Sequence, residues 1–178
     1  MTESVIKDVG LYKSKLLTPI INSEDIKDIL LVGEEYSDDM WYGKEDDEDD
    51  FGIVYKQIFP YLYVNETQTS VKTYICFETD IPRIPTGTIK DMKLIIWCLC
   101  HKSCMKYTKK GYYGTRVDIL ADAIERALRQ SEIESEKKGR AKFGIGNLHL
   151  DSVTYMASQN KEYYGRQMIF TISEFKLH

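Results

Sequence analysis

No stretch of this 178-residue chain is apolar for more than seven residues in a row. The longest run, residues 94–100, falls far short of the ~20 residues that a bilayer-crossing helix needs, so no membrane span is expected. The opening MTESVIKDVG has no basic stretch followed by an apolar one, so a secretory leader is not expected and a reducing, cytosolic setting is. The four cysteines, Cys76, Cys98, Cys100 and Cys104, then read as free thiols and not as a disulfide framework. Only three histidines occur, His101, His149 and His178, and none adjoins a serine or cysteine elbow, so nucleophilic catalysis finds no support. With four prolines, no Pro/Gly/Ser-rich linker and no internal repeat, residues 1–178 are expected to form a single domain around one core.

The net charge of −4 conceals an asymmetry. Residues 34–50 hold ten acidic residues and one lysine, so this segment carries −9 and the rest of the chain +5. Its run Glu45, Asp46, Asp47, Glu48, Asp49, Asp50 repels itself, and the segment is expected to be a solvated, mobile surface loop. A general DNA-binding surface would show a basic whole or a dense basic stripe, and neither is present.

Periodicity outlines an α+β fold: a mostly antiparallel sheet of about four strands, one main helix packed on a face, and short N-terminal helices. Val5, Ile6, Val9, Leu16 and Leu17 give a loose helical pattern, weakened by Gly10 and expected to end at Pro19. Ser23 offers an N-cap to a second helix, with Glu24 and Asp25 in its first turn, Ile26, Ile29 and Leu30 on its apolar side, and Gly33 as its stop. Residues 52–64 are strand-like, with Pro60 marking an edge or a bend. Residues 71–79 alternate cleanly and DIPRIPTG reads as a loop. Residues 93–101 are apolar on both faces, as suits the middle of a sheet with helices on one side and a neighbouring subunit on the other. Thr115 opens the strongest helix, expected over residues 116–130. Asp118 completes a capping box; Val117, Leu120, Ala121, Ile124 and Leu128 form the buried face; Asp122 and Glu125 can pair with Arg126 and Arg129. Residues 148–155 and 167–173 then alternate as a strand pair joined by a polar turn ending in Gly165.

Groupings that could carry chemistry are few. Cys98, Cys100, Cys104 and His101 lack the paired spacing of a zinc site, and His101 points away from the face that Cys98 and Cys100 share, so they read as small buried residues. The acidic run lacks the alternate spacing and glycine of a calcium loop, and a flexible tract is a poor frame for Mg²⁺-dependent nuclease chemistry. Gly144 and Gly146 precede a strand, the reverse of a phosphate-binding loop. No catalytic residue, cofactor or metal is therefore expected. What remains is a basic loop in which Lys102, Lys106, Lys109 and Lys110 interleave with Tyr107, Tyr112 and Tyr113 ahead of Arg116. Lysines with aromatics can hold nucleic acid through phosphates and stacking. Tyrosine is equally enriched at protein interfaces, and a short loop on an acidic chain favours the interface.

The order of elements, carried by YKQIFPYLYVNETQTSVKTYICFE, IKDMKLIIWCLCH, YYGTRVDILADAIERAL and GIGNLHLDSVTYMASQNKEYYGRQMIFTISEF, resembles the tail terminator (tail completion, or head–tail joining) proteins of tailed bacteriophages. The acidic residues 34–50 depart from the compact pattern of that family. The resemblance implies a structural virion protein of the neck and not an enzyme. It implies a homo-oligomeric ring, commonly a hexamer, assembled in the host cytoplasm, that caps the tail tube and joins it to the head–tail connector. DNA passes through the lumen of such a ring without sequence-specific binding. A closed ring needs two different complementary patches per subunit. The basic loop with Arg116 and the terminal strands are expected to supply interface, and the acidic run to face solvent, the lumen or a neighbour. The competing readings are another connector component (stopper or adaptor), a metal-dependent nucleic-acid enzyme using the acidic run, and a nucleic-acid-binding module using the lysine–tyrosine loop.

Overall fold

The computed structural model describes residues 5–31, 37–44, 47, 50–62, 71–86, 89–108, 111, 114–139, 148–158 and 162–175. Among them the chain runs α1 (Val5–Ile21), α2 (Glu24–Leu30), α3 (Asp38–Tyr42), β1 (Ile58–Phe59), β2 (Thr73–Thr86), β3 (Ile89–His101), a 3-10 turn (Lys102–Cys104), α4 (Arg116–Lys137), β4 (His149–Ala157) and β5 (Tyr163–Phe175). The strands make one sheet in the order β1-β2-β3-β5-β4, with β1 parallel to β2 and the other pairs antiparallel. The fold is α+β, as expected, with one strand more than the expected four: β1, a two-residue edge just before the bend at Pro60.

β3 is central because both of its faces are apolar. Met92, Leu94, Ile96 and Cys98 are fully buried on one face, against Ile75 and Phe77 of β2 and Met168, Phe170 and Ile172 of β5. The helices close this core from above with Tyr12, Leu16 and Ile20 of α1, Ile26 and Ile29 of α2, Trp41 of α3, and Leu120, Ile124 and Leu128 of α4. On the reverse face Leu99 joins a smaller cluster with Phe59, Tyr74, Cys76 and Tyr163. All helices of the described residues therefore lie on one side of the sheet.

α4 carries the expected buried face and the expected pairs, Asp122–Arg126 at 3.0 Å and Glu125–Arg129 at 2.7 Å. It runs past residue 130 to Lys137, because the polar stretch that follows contains no breaker before Gly139, whose φ of 69° supplies the left-handed stop. α2 starts as expected, with the Ile26 N–H donating to Ser23 Oγ at 3.4 Å. Its cap is Leu31, and the expected stop, Gly33, lies outside the described residues.

Several expectations are corrected. α1 continues two residues past Pro19, because Pro19 and Ile20 are buried in the core and the Asn22 N–H still reaches Thr18 O at 3.0 Å. Residues 80–86 of DIPRIPTG are not a loop, and Gly87 lies outside the described residues: Pro82 and Pro85 sit within β2, at register shifts after Asp80 and Arg83, where a bulge leaves the ladder without need of their missing N–H. Within the segment expected as a mobile loop, α3 is helical. Ser37 Oγ accepts from the Met40 N–H at 3.3 Å, and Trp41 is fully buried with its Nε1 donating to Ile21 O at 3.0 Å. Gly165 is not a turn residue but lies inside β5, where an added Cβ would fall 2.1 Å from Cys98 O. In β4 a bulge between Leu150 and Ser152 breaks the expected alternation, so that Val153 and Tyr155 fall on the side of Leu150, opposite Met168 and Arg166.

A candidate assembly interface at the two flanks of the sheet

The basic loop leaves β3 at the top of the sheet and re-enters at the N-terminus of α4. Lys102 is exposed, and its Nζ lies 2.8 Å from Glu162 Oε1 at the start of β5. That hydrogen bond and charge hold the lysine above, and the glutamate below, their ordinary pKa values. Lys106 is exposed and Tyr107 half-buried. Arg116 is buried: its guanidinium stacks 5.4 Å from the Tyr107 ring, and its Nε has no hydrogen-bond partner among the described residues. Of the expected interface residues, Lys102 and Lys106 are thus on the surface, while Arg116 shores up the loop from beneath. Lys109, Lys110, Tyr112 and Tyr113 lie outside the described residues, as do Gly144, Gly146 and His178.

The cysteines do not converge on a metal. Cys98 is fully buried, and Cys100 Sγ sits 3.8 Å from Cys104 Sγ and 3.4 Å from Thr73 Oγ1. Burial pushes the Cys100 thiol up to about 12. His101 Nδ1 is occupied by the Ser103 N–H at 3.2 Å. Among the described residues no three His, Cys, Asp or Glu side chains gather as a metal site.

Beside the loop, between the start of α4 and strands β4 and β5, lies a cavity of about 340 Å³. Met105, Val117, Tyr155, Tyr164 and Gly165 give it an apolar lining, and Lys102, Thr115, Asp118 and Arg166 form its rim. Asp118 organises that rim. One carboxylate oxygen accepts from the Thr115 N–H (3.0 Å) and hydroxyl (2.7 Å), and the other from Arg166 Nε (2.8 Å). Burial works to raise its pKa, but the bonds from Thr115 and Arg166 outweigh burial and leave it below the ordinary carboxylate range. The capping half of this arrangement was legible as Thr115 and Asp118; Tyr155, Tyr164 and Arg166 were not. The YYGR tetrapeptide held a faint signal, the one cation in β5.

At the opposite edge, beside β1, stand the described members of the acidic run. Asp47 is exposed. Asp50 accepts from the Gly52 N–H (3.1 Å), Lys56 Nζ (3.2 Å) and the Lys44 N–H (3.3 Å), which together hold it below its ordinary pKa. Glu45, Asp46, Glu48 and Asp49 lie outside the described residues. Next to Asp50 the chain exposes three aromatic rings that sequence reading did not single out. Phe51 and Tyr55 meet edge-to-face at 5.7 Å, and Tyr55 and Tyr61 lie 6.3 Å apart. They are 56%, 52% and 38% exposed. Tyr55 is also the described non-glycine residue with a positive φ, 64°.

No helix of the described residues is long and apolar enough to cross a membrane. No curated protein matches the chain. The YomW family model matches residues 23–172, from the cap of α2 to the body of β5, and its phage-derived name supports a bacteriophage-associated protein. With most of its length covered by that match, the chain belongs to the YomW family.

Proposed function

We propose that this protein is a structural component of the phage neck, a tail terminator that closes into a ring, caps the tail tube and joins it to the head–tail connector. The observation that carries the reading is the one-sided sheet. Among the described residues every helix packs on one face, while on the other Trp97 packs half-buried against the small cluster around Leu99 and Ile95 and Ile169 are half-buried as well. A central strand apolar on both faces, with one face short of a covering layer, suits a subunit completed by its neighbours. The family's phage association and the order of elements support the same reading. The test is to assemble tail tubes from tube protein with and without this chain and view them by negative-stain microscopy. Tubes capped at one end and stopped in growth are expected. Tubes that grow uncapped at saturating protein would overturn the terminator role, and binding only to connector rings would reassign the chain to a stopper or adaptor.

A further inference from the structure

The end of β3 and the turn that follows it bring two thiols together. Cys100 is fully buried near the end of the strand, and Cys104 is half-buried at the end of the 3-10 turn. Their sulfurs lie 3.8 Å apart, and both sit beside one carbonyl, His101 O, at 3.4 and 3.5 Å. A disulfide bond is about 2.05 Å long, so closing the gap asks for roughly 1.8 Å of movement. The turn can supply it, because Lys102 and Ser103 face solvent and a long bond of 3.4 Å, from the Met105 N–H to Lys102 O, closes the turn. Cys76 and Cys98 differ: both are buried inside strands of the sheet, where a thiol is out of reach of an oxidant and inert.

We infer that Cys100 and Cys104 form a reversible dithiol–disulfide pair, oxidised by a low-molecular-weight disulfide such as oxidised glutathione. The half-buried Cys104 thiol meets the oxidant first. It loses its proton, and its sulfur attacks one glutathione sulfur and expels the other as a thiolate, which takes up the proton. Cys100, also deprotonated, then attacks Cys104 Sγ and expels the second glutathione in the same way. The protein loses two electrons and two protons, and one glutathione disulfide becomes two glutathione thiols. Burial pushes the Cys100 thiol up to about 12, against the pull of the Thr73 hydroxyl and the Arg116 guanidinium. The Cys104 thiol adds to that rise, and its share is gone once Cys104 is in the mixed disulfide. Attack from within the same turn offsets the small thiolate fraction that remains. Closure also clamps the start of the basic loop. Met105, next in the chain, lines the cavity beside the loop, and its carbonyl accepts from the Arg116 N–H at 2.9 Å, so the staple links the end of β3 to the entry of α4.

The experiment oxidises the reduced full-length chain with oxidised glutathione, alkylates it with iodoacetamide in denaturant, and maps it by mass spectrometry after trypsin. Cleavage after Lys93, Lys102 and Lys106 puts Cys98 and Cys100 in one peptide, residues 94–102, and Cys104 in another, residues 103–106. Before alkylation, the oxidised chain should weigh two hydrogen atoms less than the reduced one. The two peptides should be linked through Cys100, with Cys76 and Cys98 alkylated, and dithiothreitol should reverse the link. Cys104→Ser should leave the remaining three thiols reduced, and Cys100→Ser should stop at the mixed disulfide, heavier by one glutathione. Amides of residues 103–105 should exchange more slowly in the oxidised parent than in the reduced one. The decisive readout is on the parent chain, so it stands whether or not either variant folds. A parent that keeps glutathione on Cys104, links through Cys98, or stays fully reduced would overturn the pair. An oxidised parent with unchanged exchange at residues 103–105 would overturn the clamp on the loop.

Discussion

Gly165 and Gly10 are both glycines inside regular elements, and they respond to alanine in opposite ways. At Gly165 the new Cβ would lie 2.1 Å from Cys98 O, on the central strand, so the β3–β5 ladder must shift. Gly165→Ala is expected to lower stability by about 1–3 kcal/mol, read as a lower midpoint in urea. At Gly10, on the exposed side of α1, a Cβ meets nothing within 4 Å, and Gly10→Ala is expected to raise stability by about 0.5–1 kcal/mol. The helical cost of Gly10 is visible in sequence. The need for Gly165 is not, because it arises from a strand almost 70 residues away. Asp118 supplies a pH-dependent case. Its folded-state pKa is depressed, so its contribution is present above the unfolded value and is lost as pH falls through the folded one. Asp118→Asn is expected to cost about 1 kcal/mol near neutral pH, and the gap to the parent should close as pH drops below about 4. A gap that stayed constant down to pH 2 would mean that the carboxylate charge is not what holds Thr115 and Arg166.

Among the elements, α4 and β3 could be read from the chain because their signals are local: a cap, a 3.6-residue apolar period, and a run apolar on both faces. The misread elements depend on distant partners. Pro19 stays in α1 because Ile20 is drawn into the core, and Pro82 and Pro85 stay in β2 because its bulges excuse them from the ladder. α3 is the sharpest instance. Its acidic sequence argues for solvent, yet one residue, Trp41, anchors it through full burial and the bond to Ile21 O. Trp41→Ala should therefore cost about 3–5 kcal/mol and release α3 and the bonds that Lys44 and Ile53 make beside it, seen as loss of amide protection at residues 38–44 and 50–53. Trp41→Phe keeps a buried aromatic ring but loses the pyrrole half of the indole with its N–H, so it should cost less than alanine, about 1–3 kcal/mol. The candidate site divides the same way: Thr115, Asp118 and Lys102 were among the residues the sequence pointed to, whereas the pocket is also lined by Tyr155, Tyr164 and Arg166, which converge only once β4, β5 and α4 are packed.

At the scale of the whole molecule, the central proposal is that a subunit whose described helices all pack on one face of its sheet is completed by further copies of itself. Size in solution tests that claim most directly. Light scattering of the purified protein, with negative-stain images of the same sample and of the protein bound to tail tubes, should give a closed ring of about six copies of the 20.7 kDa chain, either free or formed on tube ends. A monomer at every concentration that also leaves tube ends bare would contradict it.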